Sequence, residues 1–408
     1  MTNYAARITR RLLGRMVLSM AMLLSACATQ HQSASLVTPI SPPAQTPPQG
    51  QVDIGANTCK EIARDLTKHD SDALDAKLNL QFILQQVFSS LNSQMLNEAQ
   101  RSKLVSQLEV QIRTKLVENY IQDNWDMLSG RSDGDRYLCL VRTDLTEQGV
   151  SYVEFELRMI DGRLQIVDWI DLVQEQRVSE MFSELFGDIG ILMETDTTPV
   201  TNYWERSTPQ DRLQFFEFLQ AARNEDSNRV FRAYDNLPWR FKQKPLYALL
   251  VVKAVSGRDD VLYQKALKNF EQRFGGENHY GVLLVDLYMK EGRYKEAVRG
   301  LKKFKDRVGA DPVVEVLQAI MELDQGHIEL FYEHCLRAID VNQDYERTYW
   351  VLLDQLVADQ NYEDAVLVLN VLTKMFNFDL RVHHFEEEAK YQRFRKSDEF
   401  RAWALSRA

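Results

Sequence analysis

Two rhythms of apolar residues run through the chain beyond residue 53. From Thr58 to about His69, Ala73 to about Leu91 and Asn97 to about Tyr120, apolar side chains return every three or four positions, which marks helices with one buried stripe. Asp72 is placed to cap the second of these, and Asn97 followed three residues on by Gln100 gives the third a capping box. Further on the rhythm shortens to two. "RYLCLVRTDL", "VSYVEFELRM" and "RLQIVDWIDL" alternate as strands, the last two joined through Asp161-Gly162, a pair suited to a tight hairpin turn. A closing helix is predicted over Gln174 to Phe186. Helices followed by an antiparallel curved sheet make residues 53–195 an α+β, cone-like domain.

After a linker at residues 196–207 the helical rhythm returns and then repeats itself. In "EGRYKEAVRGLKKF" the marked positions are Gly292, Tyr294, Ala297, Leu301 and Phe304. A shift of about 34 residues gives Gly326, Ile328, Phe331, Cys335 and Ala338, and another gives Gln360, Tyr362, Ala365, Leu369 and Leu372. One shift backwards gives Arg258, Asp260, Tyr263, Leu267 and Phe270. Asp311-Pro312 suits the start of a helix. Arg212 to Arg223 and Ser227 to Leu237 read as a further helix pair, and the polar stretch from Phe385 to the end as a closing cap. Residues 208–408 are therefore expected to hold about five helix pairs.

These positions occupy the second helix of the tetratricopeptide pattern, which the chain resembles over roughly 170 residues. The resemblance implies an all-α solenoid whose concave groove, lined by first helices, holds peptides or partner helices and performs no reaction. His279 and Asp286 in one unit, and Arg347, Trp350 and Asp354 in another, stand at groove positions. The Lys, Arg and Asn set with which some members clamp a terminal carboxylate is absent. Trp350, beside Tyr349, suits either an aromatic anchor or packing between repeats.

The hairpin segment "FELRMIDGRLQIVDWIDLVQEQRVSEMF" is similar to the closing hairpin of nuclear-transport-factor-two-like folds, and more narrowly to the periplasmic toluene-tolerance family of phospholipid carriers. Asp168, Arg177 and Phe182 fall at matching positions, although Val167 replaces that family's Tyr. The resemblance implies a cavity for a lipid or other apolar ligand, with Asp168 and Arg177 beside it. Asp168 interrupts an apolar strand face of Leu164, Ile166, Ile170 and Leu172. Two readings of it stand: a carboxylate pinned by a backbone amide or Arg, or a cavity acid able to support an envelope enzyme. Tyr152, Glu154, Glu156 and Arg158 share one face of the preceding strand and are expected to be solvated.

The start of the chain changes where all this is expected to work. Arg7, Arg10, Arg11 and Arg15 precede the apolar run Met16 to Leu24, too short to span a bilayer, which needs ~20 apolar residues. Leu24-Ser25-Ala26-Cys27 then resembles the bacterial lipobox. The resemblance implies a signal peptide over residues 1–26, acylation of Cys27 and, with Ala at position 28, an anchor in the outer membrane facing the periplasm. Residues 27–52, rich in Pro, Ser, Thr and Gln, read as a disordered tether. Loss of residues 1–26 removes four arginines and no acid, leaving 45 basic against 59 acidic residues, a net charge of −14 that disfavours nucleic acid as a partner.

Cys59, Cys139 and Cys335 remain after the anchor; in an oxidising compartment Cys59 with Cys139 is one pairing, and three buried thiols the alternative. No GxSxG, HExxH, P-loop or paired CxxC occurs, and "HHFEEE" at 383–388 is expected to be a surface run rather than a metal site. The expectation is a lipoprotein without cofactor or metal that binds envelope proteins through its repeats.

Overall fold

The computed structural model describes residues 49–408 apart from 91–101, 103–104, 107, 114–115, 117–124, 146–148, 174, 194–206, 225, 257, 277–279, 379, 381–384, 386–388 and 407–408. Cys27, the linker up to residue 206 and the proposed capping box at Asn97 thus lie outside the described residues. The chain forms two compact units, Met1–Glu291 and Gly292–Ala408, so the division falls among the helices that follow the sheet.

The first unit begins with α1 (Gln49–Thr67), which starts inside the stretch expected to be a tether. Thr58 lies within this helix rather than at its start, its hydroxyl donating to the Ile54 carbonyl at 2.9 Å, a bond helix-interior threonines make. The second predicted helix is two, α2 (Ser71–Asp75) and α3 (Leu80–Ser90), and Asp70 rather than Asp72 caps the first, accepting from the Ala73 amide at 3.0 Å. The break has a cause in the sheet. The Asn79 amide donates to the Ile166 carbonyl at 2.8 Å and the Ile166 amide to the Lys77 carbonyl at 2.7 Å, so this segment leaves the helix to satisfy a strand edge. Within the third predicted helix, residues 108–113 are helical.

Five antiparallel strands, β1 (Trp125–Asp133), β2 (Arg136–Leu145), β3 (Gly149–Ile160), β4 (Arg163–Asp171) and β5 (Gln176–Arg177), pair in chain order. Asp161 and Gly162 both take positive φ, 50° and 76°, the backbone that a two-residue hairpin turn demands. The face carrying Cys139, Phe155 and Trp169 packs under α1, which a disulfide from Cys59 to Cys139 ties to β2. Gly55 allows the close approach, because a Cβ there would collide with the Tyr137 ring. α4 (Val178–Met193) follows β5 and starts later than predicted. It packs on α3, and both rest against β4.

Within the same unit, α5 (Pro209–Arg223), α6 (Ser227–Asn236), α7 (Trp239–Lys242), α8 (Pro245–Val255), α9 (Asp260–Phe274) and α10 (Val285–Lys290) follow. Thr208 and Asp211 close a reciprocal capping box on α5, three residues ahead of the predicted start. α8 is buried from Leu246 to Val255, with α9 packed on it.

Asp188 of α4 joins the sheet layer to α8. Its carboxylate accepts from Lys244 Nζ at 2.7 and 2.8 Å and from the Tyr247 hydroxyl at 2.5 Å. Burial, reinforced by that carboxylate, holds the Tyr247 hydroxyl far above its ordinary pKa.

The second unit contains α11 (Tyr294–Val308), α12 (Pro312–Asp324), α13 (Ile328–Val341), α14 (Glu346–Ala358), α15 (Tyr362–Lys374) and a last helix, α16 (Asp398–Leu405). α12 pairs with α13 and α14 with α15. Asp311 caps α12 through the Val313 amide at 2.9 Å, as the Asp-Pro pair suggests. The predicted polar cap is richer in buried aromatics than its composition implied: Phe385, Tyr391, Phe394, Phe400 and Trp403 close over Leu369 and Leu372. Cys335 is a buried free thiol, its pKa pushed up to about 12 by burial.

Glu315 of α12 is the buried ionic centre of this unit, bonded to Lys305 at 2.5 Å and His334 at 2.8 Å, with Arg337 at 3.4 Å. Burial raises its pKa, but the bonds from Lys305 and His334 outweigh that effect and leave it below the ordinary value. A group whose folded pKa is depressed adds stability above its unfolded pKa, and that stability fades as pH falls through the lower, folded value. Acid titration of urea stability should therefore show a smaller loss in Glu315→Gln than in the parent over that acidic window. Equal losses would dismiss Glu315 as a source of acid sensitivity.

Candidate functional site

The site begins with a register slip. β3 and β4 pair Glu156 with Asp168 but Leu157 with Ile166, so Val167 is an extra residue, a bulge. Facing residues of an antiparallel pair share one side of the sheet. Leu164 and Ile166 therefore lie on the α1 side, whereas Asp168 and Ile170 lie on the other side with Glu154 and Glu156. The single apolar face expected for Leu164, Ile166, Asp168, Ile170 and Leu172 is corrected: one inserted residue reverses the alternation midway.

The second correction concerns the face expected to be solvated. Glu154 and Glu156 are 6% and 4% exposed, and Tyr152 is buried with them. A buried carboxylate must be paired, and Glu156 gathers three guanidinium groups. Arg177 Nη1 donates to it at 2.6 Å, Arg136 Nη1 at 3.2 Å, and Arg158 Nε and Nη2 at 3.3 Å each. Arg131 pairs with Glu154 at 2.8 Å. Arg136 also contacts Asp133, and Arg158 reaches Asp135 at 2.7 Å, both acids lying at the β1–β2 turn. The Arg158 guanidinium lies 5.2 Å from the centre of the Phe82 ring of α3.

Asp168 is fully buried. Its Oδ1 accepts from the Trp169 amide at 2.9 Å and the Ser179 amide at 3.2 Å, and its Oδ2 from the Ser179 hydroxyl at 2.5 Å. Arg177 Nη1 is 3.8 Å away. Of the two readings of Asp168, this geometry is that of a carboxylate pinned by backbone amides, a hydroxyl and a nearby arginine. Burial nevertheless pushes its pKa above the ordinary aspartate value against the Ser179 bonds. Ser179 and Arg177, rather than Asp168 itself, reach the cleft wall.

That cleft, about 850 Å³, opens between the charged side of the sheet and the helices α3 and α4. Phe82 is its apolar contribution; arginines, glutamates, serines and glutamines supply the rest, apart from Gly187. The predicted pair Asp168 and Arg177 is thus brought together, at the edge of a polar cavity. The three-arginine cluster was missed, although Arg136, Glu156 and Arg158 occupy alternate or facing strand positions and could have been found from register.

The predicted groove residues fare differently. His279 lies outside the described residues. Asp286 is 2% exposed and accepts from Gln264 Nε2 at 3.1 Å. Arg347 is buried, and Trp350 is half-buried with its ring edge-on to Phe378 at 5.6 Å. Asp354 accepts from Lys390 Nζ at 2.8 Å and the Tyr391 hydroxyl at 2.5 Å. On α14, Trp350 and Asp354 thus meet residues nearer the C-terminus of the same chain, Phe378 for one and Lys390 with Tyr391 for the other. "HHFEEE" is described only at Phe385, which is buried, and no group of three metal-ligating side chains occurs among the described residues.

No described helix is long and apolar enough to cross a membrane. No family model, no curated protein and no solved structure matches this chain.

Proposed function

We propose that the chain is a lipoprotein, anchored through acylated Cys27 in the outer membrane and facing the periplasm, which works as an adaptor for envelope proteins through a tetratricopeptide-like array. The observation that supports the array is a backbone one. Of the four positions selected by the 34-residue shift, Gly292, Gly326 and Gln360 take φ of 69°, 82° and 59°, each in the turn just before a second helix, whereas Arg258 does not take positive φ. Such left-handed turns suit Gly and are uncommon for Gln, so their recurrence supports the reading of one repeated helix-turn-helix unit. An array of this kind serves as a binding scaffold and requires no catalytic group.

Because Trp350 and Asp354 are engaged within the chain, the partner surface is assigned to the second helices. There Leu336 of α13 and Leu367 of α15 are 60% and 62% exposed. In envelope cross-linking followed by mass spectrometry, Leu336→Asp with Leu367→Asp should remove the captured partners, while Cys27→Ala should release the protein from the membrane fraction. An unchanged set of cross-linked proteins in the double variant would end the adaptor reading, and continued membrane attachment of Cys27→Ala would end the anchor reading.

A further inference from the structure

The charges lining the cleft are sorted by wall. Arg136, Arg158 and Arg177 stand on the sheet side around the single carboxylate of Glu156, while Glu180 and Glu184 stand on α4. Arg177 is engaged through Nη1, and its Nε and Nη2 have no partner among the described residues. Arg136 is engaged through Nη1 and Nη2, leaving Nε in the same condition. Asp133 and Asp135 approach from the turn and are themselves substantially exposed, so solvent screens them more than it screens Glu156. On the opposite wall Glu180 is exposed and makes no ion pair with the described residues. Glu184 lies 3.6 Å from Lys244 and accepts from Gln176 at 3.2 Å; Asp188 holds the same lysine more closely, at 2.7 Å.

An anion alone would meet the arginines but be repelled by the glutamates of α4, and a cation alone would meet the reverse. We propose that the cleft binds a zwitterion carrying a phosphate at one end and an ammonium at the other, the phosphate taken by Arg136, Arg158 and Arg177 and the ammonium by Glu180 and Glu184. Guanidinium forks match phosphate oxygens in pairs. Ser179, Ser183 and Gln176 add neutral hydrogen-bonding groups to the lining, and the volume is in the range of small-molecule sites. With Phe82 the single large apolar side chain in the lining, this is a site for a head group and not for acyl chains. The proposal does not depend on the adaptor reading, since none of its residues belongs to the repeats.

The chemistry is shared by free phosphoethanolamine and by the head group of phosphatidylethanolamine. Calorimetric titration of the full chain carrying Cys27→Ala, so that no acyl anchor contributes, should use phosphoethanolamine, inorganic phosphate and ethanolamine. A second arm should compare vesicles of phosphatidylethanolamine and phosphatidylglycerol with vesicles of phosphatidylglycerol alone. Phosphoethanolamine, free or on the vesicle, is expected to bind about tenfold more tightly than its phosphate-only counterpart. Binding in the first arm identifies a soluble ligand, and binding in the vesicle arm alone identifies the lipid.

Arg177→Gln should weaken binding roughly 10- to 100-fold through loss of a charge-assisted bond. Glu180→Gln alters an exposed residue and should fold normally. It should cut the preference for the zwitterion several-fold while leaving phosphate affinity in place. Equal affinity for phosphate and phosphoethanolamine, absence of binding in both arms, or full affinity in both variants would overturn the proposal.

Discussion

Asp188→Ala should lower unfolding stability by about 3–5 kcal/mol, the loss expected when one member of a buried hydrogen-bonded charge pair is removed. Two cross-element donors lose their acceptor at once. The Tyr247 hydroxyl is fully enclosed among Phe215, Phe218 and Phe241 and cannot turn to water. Lys244 is one-third exposed, so part of its charge can be resolvated. Tyr247→Phe should therefore cost less, about 1 kcal/mol, because it removes a hydroxyl together with its need for an acceptor and leaves the Lys244 pair intact. Urea unfolding followed by circular dichroism provides the measurement. A shift of the transition midpoint at unchanged slope reports stability itself. A change smaller than that of Tyr247→Phe would show that Asp188 does not fasten α4 to α8.

The second large effect is expected from Cys59→Ala with Cys139→Ala. The bridge closes a loop with a sequence separation of 80 residues, for which the chain-entropy account gives about 4 kcal/mol. Both sulfurs are buried between α1 and β2, so alanine leaves a small void but no unsatisfied polar group, a reason to prefer it to serine. Thermal unfolding of the double variant should begin at markedly lower temperature, with Cys335 as an internal check. Its thiol is buried in the folded chain and should react with an alkylating reagent only as the second unit opens. If the variant melts with the parent, the bridge contributes no stability under those conditions.

Much of the architecture was legible because it depends on local rhythm. The three predicted strands match β2, β3 and β4 to within a residue or so, since alternation and the Asp161-Gly162 turn both act over a few positions. β1 escaped because "WDMLSGRSD" shows little alternation and contains Gly130, where a Cβ would stand 2.6 Å from the Tyr137 hydroxyl oxygen. The close packing that excludes a side chain there is a tertiary fact. The break between α2 and α3 escaped for the same reason, being caused by hydrogen bonds to Ile166.

The candidate site was harder to foresee. Glu154, Glu156 and Arg158 have the composition of a wet surface, and burial depends on what covers them, here α3 and α4. Asp168 was found because a carboxylate in an apolar strand is conspicuous, and Arg177 only through its matching position in a family resemblance. The groove positions on α14 were found as positions but not as surfaces, since the segment around Lys390 and Tyr391 that covers Asp354 carries no signal of where it docks.

The extra residue at Val167 has a consequence for how this strand can change over time. Ile166 and Asp168 answer to different neighbours, one to the packing beneath α1 and the other to Ser179 and the arginine cluster. In an unbroken strand, residues two apart share a side and are selected together. Here the slip releases them from each other, so the hydrophobic layer can drift in size and shape while the polar layer adapts to a different ligand. Deleting Val167 would make the strand regular and leave Ile166 and Asp168 adjacent, so each would keep the side of the sheet it now occupies.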